Sequence, residues 1–170
     1  MLLTRTDVPP AFLDAHARDL KAILGGPTLF DLPGERSPAL FVSVLLHGNE
    51  TSGLTAVQKL LKKYAPGGGA RPLPRALVLF VGNVAAAERG LRRFDDQPDY
   101  NRIWPGSPTS GTPEHRMMQE ITEAMRRRGI FASVDIHNNT GRNPYYGCVN
   151  RLEHRFLRLA SLFGRTIVYY

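Results

Sequence analysis

The stretch "ALFVSVLLHGNETSGLTAVQKLL", residues 39–61, decides the fold. Its first eight residues are almost entirely apolar, which predicts a strand buried on both faces. Apolar residues then recur at helical spacing from Leu54 to Tyr64, which predicts an amphipathic helix. A buried strand followed directly by such a helix is typical of an α/β sheet. His47 and Glu50 lie in the turn between the two elements.

The rest of the chain repeats this alternation of apolar strands and amphipathic helices. Helical spacing across residues 13–24, ended by Gly25-Gly26, predicts an N-terminal helix rather than a signal peptide. Thr112-Pro113 predicts the start of another helix, and Gly129 its end. Because strands that are apolar on both faces need helices on both sides, we expect a three-layer α/β/α fold with a mostly parallel or mixed sheet. Strands are predicted at 28–32, 39–46, 75–84, 131–137, 145–149 and 165–170, with a "PGGG" helix stop at 66–69 and a last helix over 152–163.

The composition is that of an ordinary globular protein. Hydrophobic residues make up 42% and charged residues 22% of the 170 residues, so disorder is not expected and one domain fits the length. No apolar run is long enough to span a bilayer, and we expect no membrane partner. The single cysteine, Cys148, excludes an internal disulfide and is typical of a reducing compartment. We therefore expect a cytoplasmic protein in which Cys148 is a packing residue.

The chain is basic, with a formal net charge of +7. Such a charge favours partners that are nucleic acids, anionic lipids or small acidic molecules. Arginines are scattered over every segment, and their one tight run, Arg126–Arg128, falls at a predicted helix end, where cations complement the helix dipole. Because no nucleic-acid-binding motif accompanies the charge, we expect no nucleic-acid partner.

Polar side chains with metal-ligand chemistry follow two of the predicted strands. His47 and Glu50 come after one strand, and His137 ends another. The carboxyl ends of strands meet at one edge of an open α/β sheet, so these groups are expected to lie together. Imidazole nitrogen and carboxylate oxygen suit Zn²⁺, and a catalytic site leaves the fourth position to water. Asp135, two residues before His137, shares its strand face and could hold the other imidazole nitrogen.

The remaining histidines lack this setting. His16, His115 and His154 fall on predicted helices among charged neighbours, and we expect all three at the surface. A different signal is the stretch from about 85 to 111, which is rich in Arg, Asp, Pro and Gly and has few core-type residues. A long irregular loop of this kind in a compact domain is usually functional.

Three motifs together resemble a known superfamily. "HGNETSG" (47–53), "DYNRIWPG" (99–106) and "DIHNNTG" (135–141) occur in this order and look like the zinc carboxypeptidase superfamily, in particular its succinylglutamate desuccinylase/aspartoacylase branch. The resemblance implies a zinc-carboxypeptidase-like fold in which His47, Glu50 and His137 bind one zinc ion per chain. It also implies that residues 1–170 belong to a single zinc-hydrolase catalytic domain.

The same resemblance implies roles for residues of the long loop. Asn101 and Arg102 would bind a substrate carboxylate, and the planar fork of an arginine suits that task. An arginine in "LRRFDD" would polarise the scissile carbonyl. Both Arg92 and Arg93 fit the spacing, and we favour Arg93 because an aromatic residue follows it. The expected substrate is a small acidic N-acyl amino acid or a peptide C-terminus.

The sequence departs from the family pattern at one position. The general base of the family is a glutamate on a later strand, and nothing after His137 matches it, because Glu153 falls within a predicted helix. We therefore expect an N-terminal catalytic portion that is incomplete at the C-terminus and hydrolyses little by itself. The open strand "RTIVYY" would expose a sheet edge, so self-association is also expected.

These observations predict a zinc-dependent hydrolase that cleaves an amide bond next to a free carboxylate. An N-acyl amino acid deacylase agrees best with the "DIHNNTG" motif. A metallocarboxypeptidase is the first alternative. The second is a non-catalytic zinc- or ligand-binding module that lacks the general base.

Overall fold

The protein is described by a computed structural model in which residues 1–64, 68–69, 71–108, 110–139 and 141–170 are defined. Two compact units are present, Met1–Asn138 and Asn139–Tyr170. Two of the sequence predictions extend beyond the described residues. These are Pro66 and Gly67 of the predicted helix stop, and Thr140 of the third motif.

The first unit is built on a five-stranded sheet, and its elements are β1 Leu3–Arg5, α1 Leu20–Leu24, β2 Thr28–Leu32, β3 Ala39–Val44, α2 Ser52–Leu61, β4 Leu77–Val81, α3 Val84–Glu88, α4 Pro113–Arg128 and β5 Ile130–Asp135. The strand order in the sheet is β1-β2-β4-β3-β5. All neighbouring pairs are parallel except β2 with β4, which is antiparallel. The sheet is therefore mixed and mostly parallel, as predicted. Across the described residues, no helix combines the length and apolar character needed to cross a bilayer.

Alternate residues of the central strand β4 belong to two different cores. Leu79 and Val81 lie in a cluster that includes apolar residues of α1 and α2. Val78 and Phe80 lie in a second cluster with Met118 and other residues of α4. Because successive side chains of a strand point to opposite faces, the two clusters cover opposite sides of the sheet. This confirms the three-layer arrangement.

The N-terminal segment differs from its prediction. Instead of one helix over residues 13–24, it contains the strand β1, two 3₁₀ turns and the short helix α1. Gln58 of α2 explains the interruption, because its Nε2 donates hydrogen bonds to the carbonyl oxygens of Phe12 and Ala15 at 2.7 and 2.9 Å. Those carbonyls therefore bind a side chain instead of continuing a helical ladder.

Two single-residue predictions are also wrong. His115 is 7% exposed, because it lies on the inner side of α4, three residues before the fully buried Met118. Its charged neighbours in sequence lie on the other faces of the same helix, so the local sequence wrongly indicated an exposed position. Cys148 is exposed rather than packed. His16 and His154 are exposed, as predicted.

The second unit contains one strand–helix–strand element. β6 (Tyr146–Val149) and β7 (Thr166–Tyr169) are parallel, and α5 (His154–Ser161) connects them. Two parallel neighbouring strands need such a crossover connection. The predicted helix and both predicted strands are therefore present, although α5 is shorter at both ends than its apolar pattern indicated.

Candidate metal centre

The turn that follows β3 places His47 and Glu50. Leu45, directly after the strand, is fully buried and has a φ of +55°, which is rare for a residue with a side chain. A residue in this region costs roughly 1–3 kcal/mol and persists when its surroundings hold it in place. The backbone N–H of Glu50 then donates to the carbonyl of His47 at 3.1 Å. This turn brings the two side chains of the H-x-x-E motif together, with His47 Nδ1 2.9 Å from Glu50 Oε1.

Gly48 packs against the backbone of the neighbouring helix α3. Its N–H donates to the carbonyl of Arg92 at 3.0 Å. A Cβ atom at this position would overlap backbone atoms of Ala86 and Ala87, and it would lie 2.7 Å from the carbonyl oxygen of Leu91. Only glycine allows this close approach, which ties the metal-ligand turn to the start of the long loop.

Replacing Gly48 with alanine should therefore destabilise the protein. The new Cβ would meet backbone atoms that cannot rotate away. We therefore expect the free energy of unfolding to fall by about 1–3 kcal/mol, as at other overpacked sites. Denaturant unfolding measures the change in the free energy of unfolding. Gly26→Ala is the matched control, because a Cβ there would lie 3.9 Å from its nearest neighbours, Leu3 Cδ1 and Met1 O, which is ordinary van der Waals contact. Equal stability of the two variants would contradict the packing role of Gly48.

His137 is held from the sheet side by two strand residues. Ser43 of β3 donates from Oγ to Asp135 Oδ1 at 2.7 Å. The other carboxylate oxygen of Asp135 lies 2.6 Å from His137 Nε2. The contact between Asp135 and His137 that strand periodicity predicts is therefore confirmed. It leaves His137 Nδ1 as the nitrogen that faces the centre of the site.

His47 is held in the same way by a carboxylate from the long loop. Asp99 Oδ1 lies 2.8 Å from His47 Nε2, and His47 as a whole residue is only 1% exposed. The sequence interpretation missed this role of Asp99. A signal was present, since Asp99 is an acidic residue within the "DYNR" motif itself.

The two imidazoles present equivalent atoms to Glu50. His47 Nδ1 lies 2.9 Å from Glu50 Oε1, and His137 Nδ1 lies 2.8 Å from Oε2. The first of these pairs lacks hydrogen-bond geometry, so within the described part of the chain His47 Nδ1 is a buried polar atom without a hydrogen-bond partner. The ligand atoms of the three side chains lie within 4.8 Å of one another.

The electrostatics of the site favour charged carboxylates. Burial by itself would raise the pKa of Glu50, but hydrogen bonds from His137 and the backbone N–H of Asn138 hold that pKa below its ordinary value. Burial likewise opposes ionisation of Asp99, and the hydrogen bond with His47 holds its pKa low. For His137, burial would lower the pKa, yet hydrogen bonds to Asp135 and Glu50 raise it to about 9. The site thus concentrates negative charge around two imidazoles.

This donor set fits a zinc ion. Two imidazole nitrogens and one carboxylate oxygen, with a fourth position left open, is the composition of a catalytic zinc site. The second nitrogen of each metal-ligating histidine is normally bonded to a carboxylate, carbonyl or water, which fixes the ring and its tautomer. Asp99 and Asp135 occupy those positions here. The bare, buried His47 Nδ1 is the atom that a metal would satisfy.

The two arginines of "LRRFDD" have different surroundings. Arg92 Nη1 donates to Glu50 Oε1 at 2.7 Å, and its Nη2 lies 3.6 Å from Asp99 Oδ2. Arg93 Nη1 instead donates to the carbonyl oxygens of the loop, including that of Gln97 at 2.9 Å. The structure brings Arg92 to the ligand set, while the role of Arg93 beside a substrate carbonyl stays a prediction.

Asn101 and Arg102 lie on a 3₁₀ turn that the core holds in place. Tyr100–Arg102 forms the turn, Asp99 Oδ1 accepts a hydrogen bond from the Asn101 N–H at 2.9 Å, and Tyr100 and Ile103 are buried. The same carboxylate oxygen of Asp99 contacts His47, so the turn adjoins the site. The side chain of Arg102 is exposed to solvent. Its contact with a carboxylate stays a prediction.

The fold and these residues define a class. A mostly parallel α/β sheet with a His-x-x-Glu pair after one strand and a histidine after its neighbour belongs to the zinc-carboxypeptidase-like superfamily. A family model described as "Succinylglutamate desuccinylase/Aspartoacylase catalytic domain" matches residues 36–169. The chain belongs to this family.

Individual proteins with a similar sequence are also succinylglutamate desuccinylases. A succinylglutamate desuccinylase of Burkholderia orbicola is 37% identical over 96 residues, covering 56% of this chain and 25% of the relative. One from Pseudomonas aeruginosa is 38% identical over 73 residues, covering 43% of this chain and 21% of the relative. The chain thus spans about a quarter of the length of the curated relatives that it matches.

A solved structure extends the likeness in the fold. The crystal structure of the succinylglutamate desuccinylase from Chromobacterium violaceum matches with a TM-score of 0.56 and 22% identity, covering 86% of this chain and 53% of that one. At this identity the likeness concerns the fold. It confirms the predicted architecture.

Proposed function

We propose that this chain is the metal-binding part of a zinc-dependent hydrolase that cleaves the amide bond of an N-acyl amino acid. In this proposal His47, Glu50 and His137 hold one zinc ion, and residues 1–170 belong to one catalytic domain. The family and its named relatives, which are succinylglutamate desuccinylases, favour a deacylase over a carboxypeptidase. The expected substrate is a small acidic N-acyl amino acid.

One observation carries the metal part of the proposal. Each histidine gives its Nε2 to a carboxylate and turns its Nδ1 towards Glu50. In the neutral form of each ring, the carboxylate behind it favours the proton on Nε2 and leaves Nδ1 to a metal. For His137, the metal would replace the proton that Nδ1 shares with Glu50. A purely structural hydrogen bond would need only one histidine and one carboxylate. Here a second histidine also points at Glu50, so three ligand atoms converge where one ion could bind.

The chain's other residues would bind and orient the substrate. Arg102, exposed on its turn, can present two parallel N–H groups to a carboxylate, and Asn101 can add a donor. The family role of an arginine beside the scissile carbonyl falls to Arg93 by our sequence prediction. Arg92 is the alternative, because its guanidinium already contacts Glu50. Variants of both residues would distinguish them.

The chemistry that zinc supplies in such a site is polarisation of a carbonyl and a lower pKa of water, towards about 7. Proton transfer needs a further group. Glu153, the acidic residue that follows His137 in the chain, is exposed and pairs with Arg151 and Arg155 at 3.5 and 2.9 Å. These ion pairs give Glu153 a surface role, and we do not propose it as the base.

A binding experiment tests the proposed substrate class. The chain is loaded with one equivalent of zinc and titrated calorimetrically with N-succinylglutamate, N-acetylaspartate and a dipeptide of matched charge. We expect zinc-dependent binding with a preference for the N-acyl amino acids, and release of free amino acid in any turnover. Tighter binding of the dipeptide would support a carboxypeptidase. Zinc binding without affinity for any of these ligands would support a non-catalytic module.

A further inference from the structure

Gln97 is the centre of a hydrogen-bond network inside the long loop. Its Oε1 accepts from Asn83 Nδ2 at 2.6 Å and from the Phe94 N–H at 3.4 Å. Its Nε2 donates to the hydroxyl of Tyr100 at 3.2 Å. Its backbone carbonyl accepts from Arg93 at 2.9 Å. The Gln97 side chain thus joins Phe94 to Tyr100, the two ends of the loop segment 94–100.

Asn83 connects this network to the rigid part of the fold. It follows β4, is 1% exposed, and its N–H donates to the carbonyl of Leu45 at 2.6 Å. Its side-chain Oδ1 accepts from the Ala86 N–H at 3.1 Å and caps α3. The amide therefore has two separate tasks, since Oδ1 caps a helix while Nδ2 holds Gln97.

The hydrogen bonds of Gln97 reach both sides of Asp99, whose carboxylate contacts His47. Asp99 follows Gln97 and Pro98 in the chain, and the buried Tyr100 follows Asp99. Gln97 contacts Tyr100 directly, so the backbone of Asp99 is fixed from both sides. Its carboxylate then lies 2.8 Å from His47 Nε2.

We propose that Gln97 is a positioning residue of the metal site. Asn83 anchors Gln97, and Gln97 in turn places the carboxylate of Asp99 beside His47 Nε2. His47 then keeps its proton on Nε2 and its lone pair on Nδ1. The inference rests on the proposed function for its biological meaning, because it concerns how that site is prepared. Within the described residues, the hydrogen bonds of Gln97 go to residues other than the three ligands. It acts through Asp99.

The expected effect follows from this indirect action. Removing the partner of a metal-ligating histidine typically lowers metal affinity about 10–100-fold. Gln97 cannot contribute more than Asp99 does, so Gln97→Leu should lower zinc affinity up to about tenfold. In an Asp99→Asn background the same substitution should add little, because residues that act through one contact are not additive.

Two measurements test the proposal. Long-range ¹H–¹⁵N correlation spectra of the metal-free chain report the tautomer of His47, and chelator competition reports zinc affinity. We expect His47 to carry its proton on Nε2 in the wild type and to populate both tautomers in Gln97→Leu. Asn83→Ser should act in the same direction. A serine still caps α3, but it loses the amide donor to Gln97, so this variant should fold even if Gln97→Leu does not.

Gln58→Leu is the matched control. Gln58 is a buried glutamine whose side chain, like that of Gln97, joins separate segments by hydrogen bonds. It connects α2 to the N-terminal segment and not to the loop that carries Asp99. We expect it to lower thermal stability and to leave the His47 tautomer unchanged. An unchanged tautomer in both Gln97→Leu and Asn83→Ser, or the same change in Gln58→Leu, would overturn the proposal. A wild type that binds no zinc would refute the proposed function, whereas the metal-free spectra would still decide the role of Gln97.

Discussion

Replacing His137 with alanine is expected to abolish stoichiometric zinc binding, and His47→Ala should do the same. Each variant leaves two of the three ligand atoms that converge in the site. Loss of an outer partner already costs about 10–100-fold in affinity, so loss of a ligand should exceed about 100-fold. Metal analysis after purification without chelator, followed by competition with a zinc indicator, measures the effect.

His154→Ala provides the control for this experiment. His154 is an exposed histidine at the start of α5, and its loss should leave zinc content unchanged. Circular dichroism of the variants would show that the fold persists. One zinc per chain retained in both His47→Ala and His137→Ala would contradict the ligand assignment.

Replacing Arg102 with lysine should weaken the binding of acidic ligands roughly tenfold to hundredfold. The substitution keeps the positive charge but removes the planar fork, and hydrogen bonds to charged groups contribute about 1.5–3 kcal/mol. Arg102→Ala should lose at least as much. Calorimetric titration with N-succinylglutamate in the presence of zinc measures both variants.

Arg127→Lys tests whether a general change in the basic surface explains the result. Arg127 is exposed near the end of α4 and lies 3.9 Å from Glu123, so its replacement should leave ligand affinity unchanged. Wild-type affinity in both Arg102 variants would remove this residue from the substrate site. Zinc content should remain at one per chain in every arginine variant.

The central sheet could be predicted because its signals are local. β4 is a continuous apolar run, and β3 is apolar except for Ser43. Thr112, Pro113 and Gly129 mark the ends of α4. The N-terminal segment could not be predicted in this way. Its apolar spacing is helical, but Gln58, more than forty residues away, binds the carbonyls that a continuous helix would use. Long-range hydrogen bonds of this kind leave no local pattern in the sequence.

The site residues also fall into two groups, those that local sequence signals reveal and those that they do not. His47, Glu50 and His137 could be named because they follow strands and because the motifs are specific, and the structure brings their ligand atoms together. Asp99 contacts His47 across 52 residues of sequence, and Gln97 acts within an irregular loop. Their roles depend on how that loop folds, which neither periodicity nor spacing reveals.

X-ray absorption at the zinc edge of the zinc-loaded chain tests the central claim most directly. Ligation by His47, Glu50 and His137 predicts only nitrogen and oxygen neighbours at about 2.0–2.2 Å, with the multiple-scattering signature of two imidazoles. His137→Ala should reduce that signature to one imidazole or remove the zinc. A sulfur neighbour at about 2.3 Å, which would implicate the exposed Cys148, or a spectrum unchanged by His137→Ala, would contradict the account.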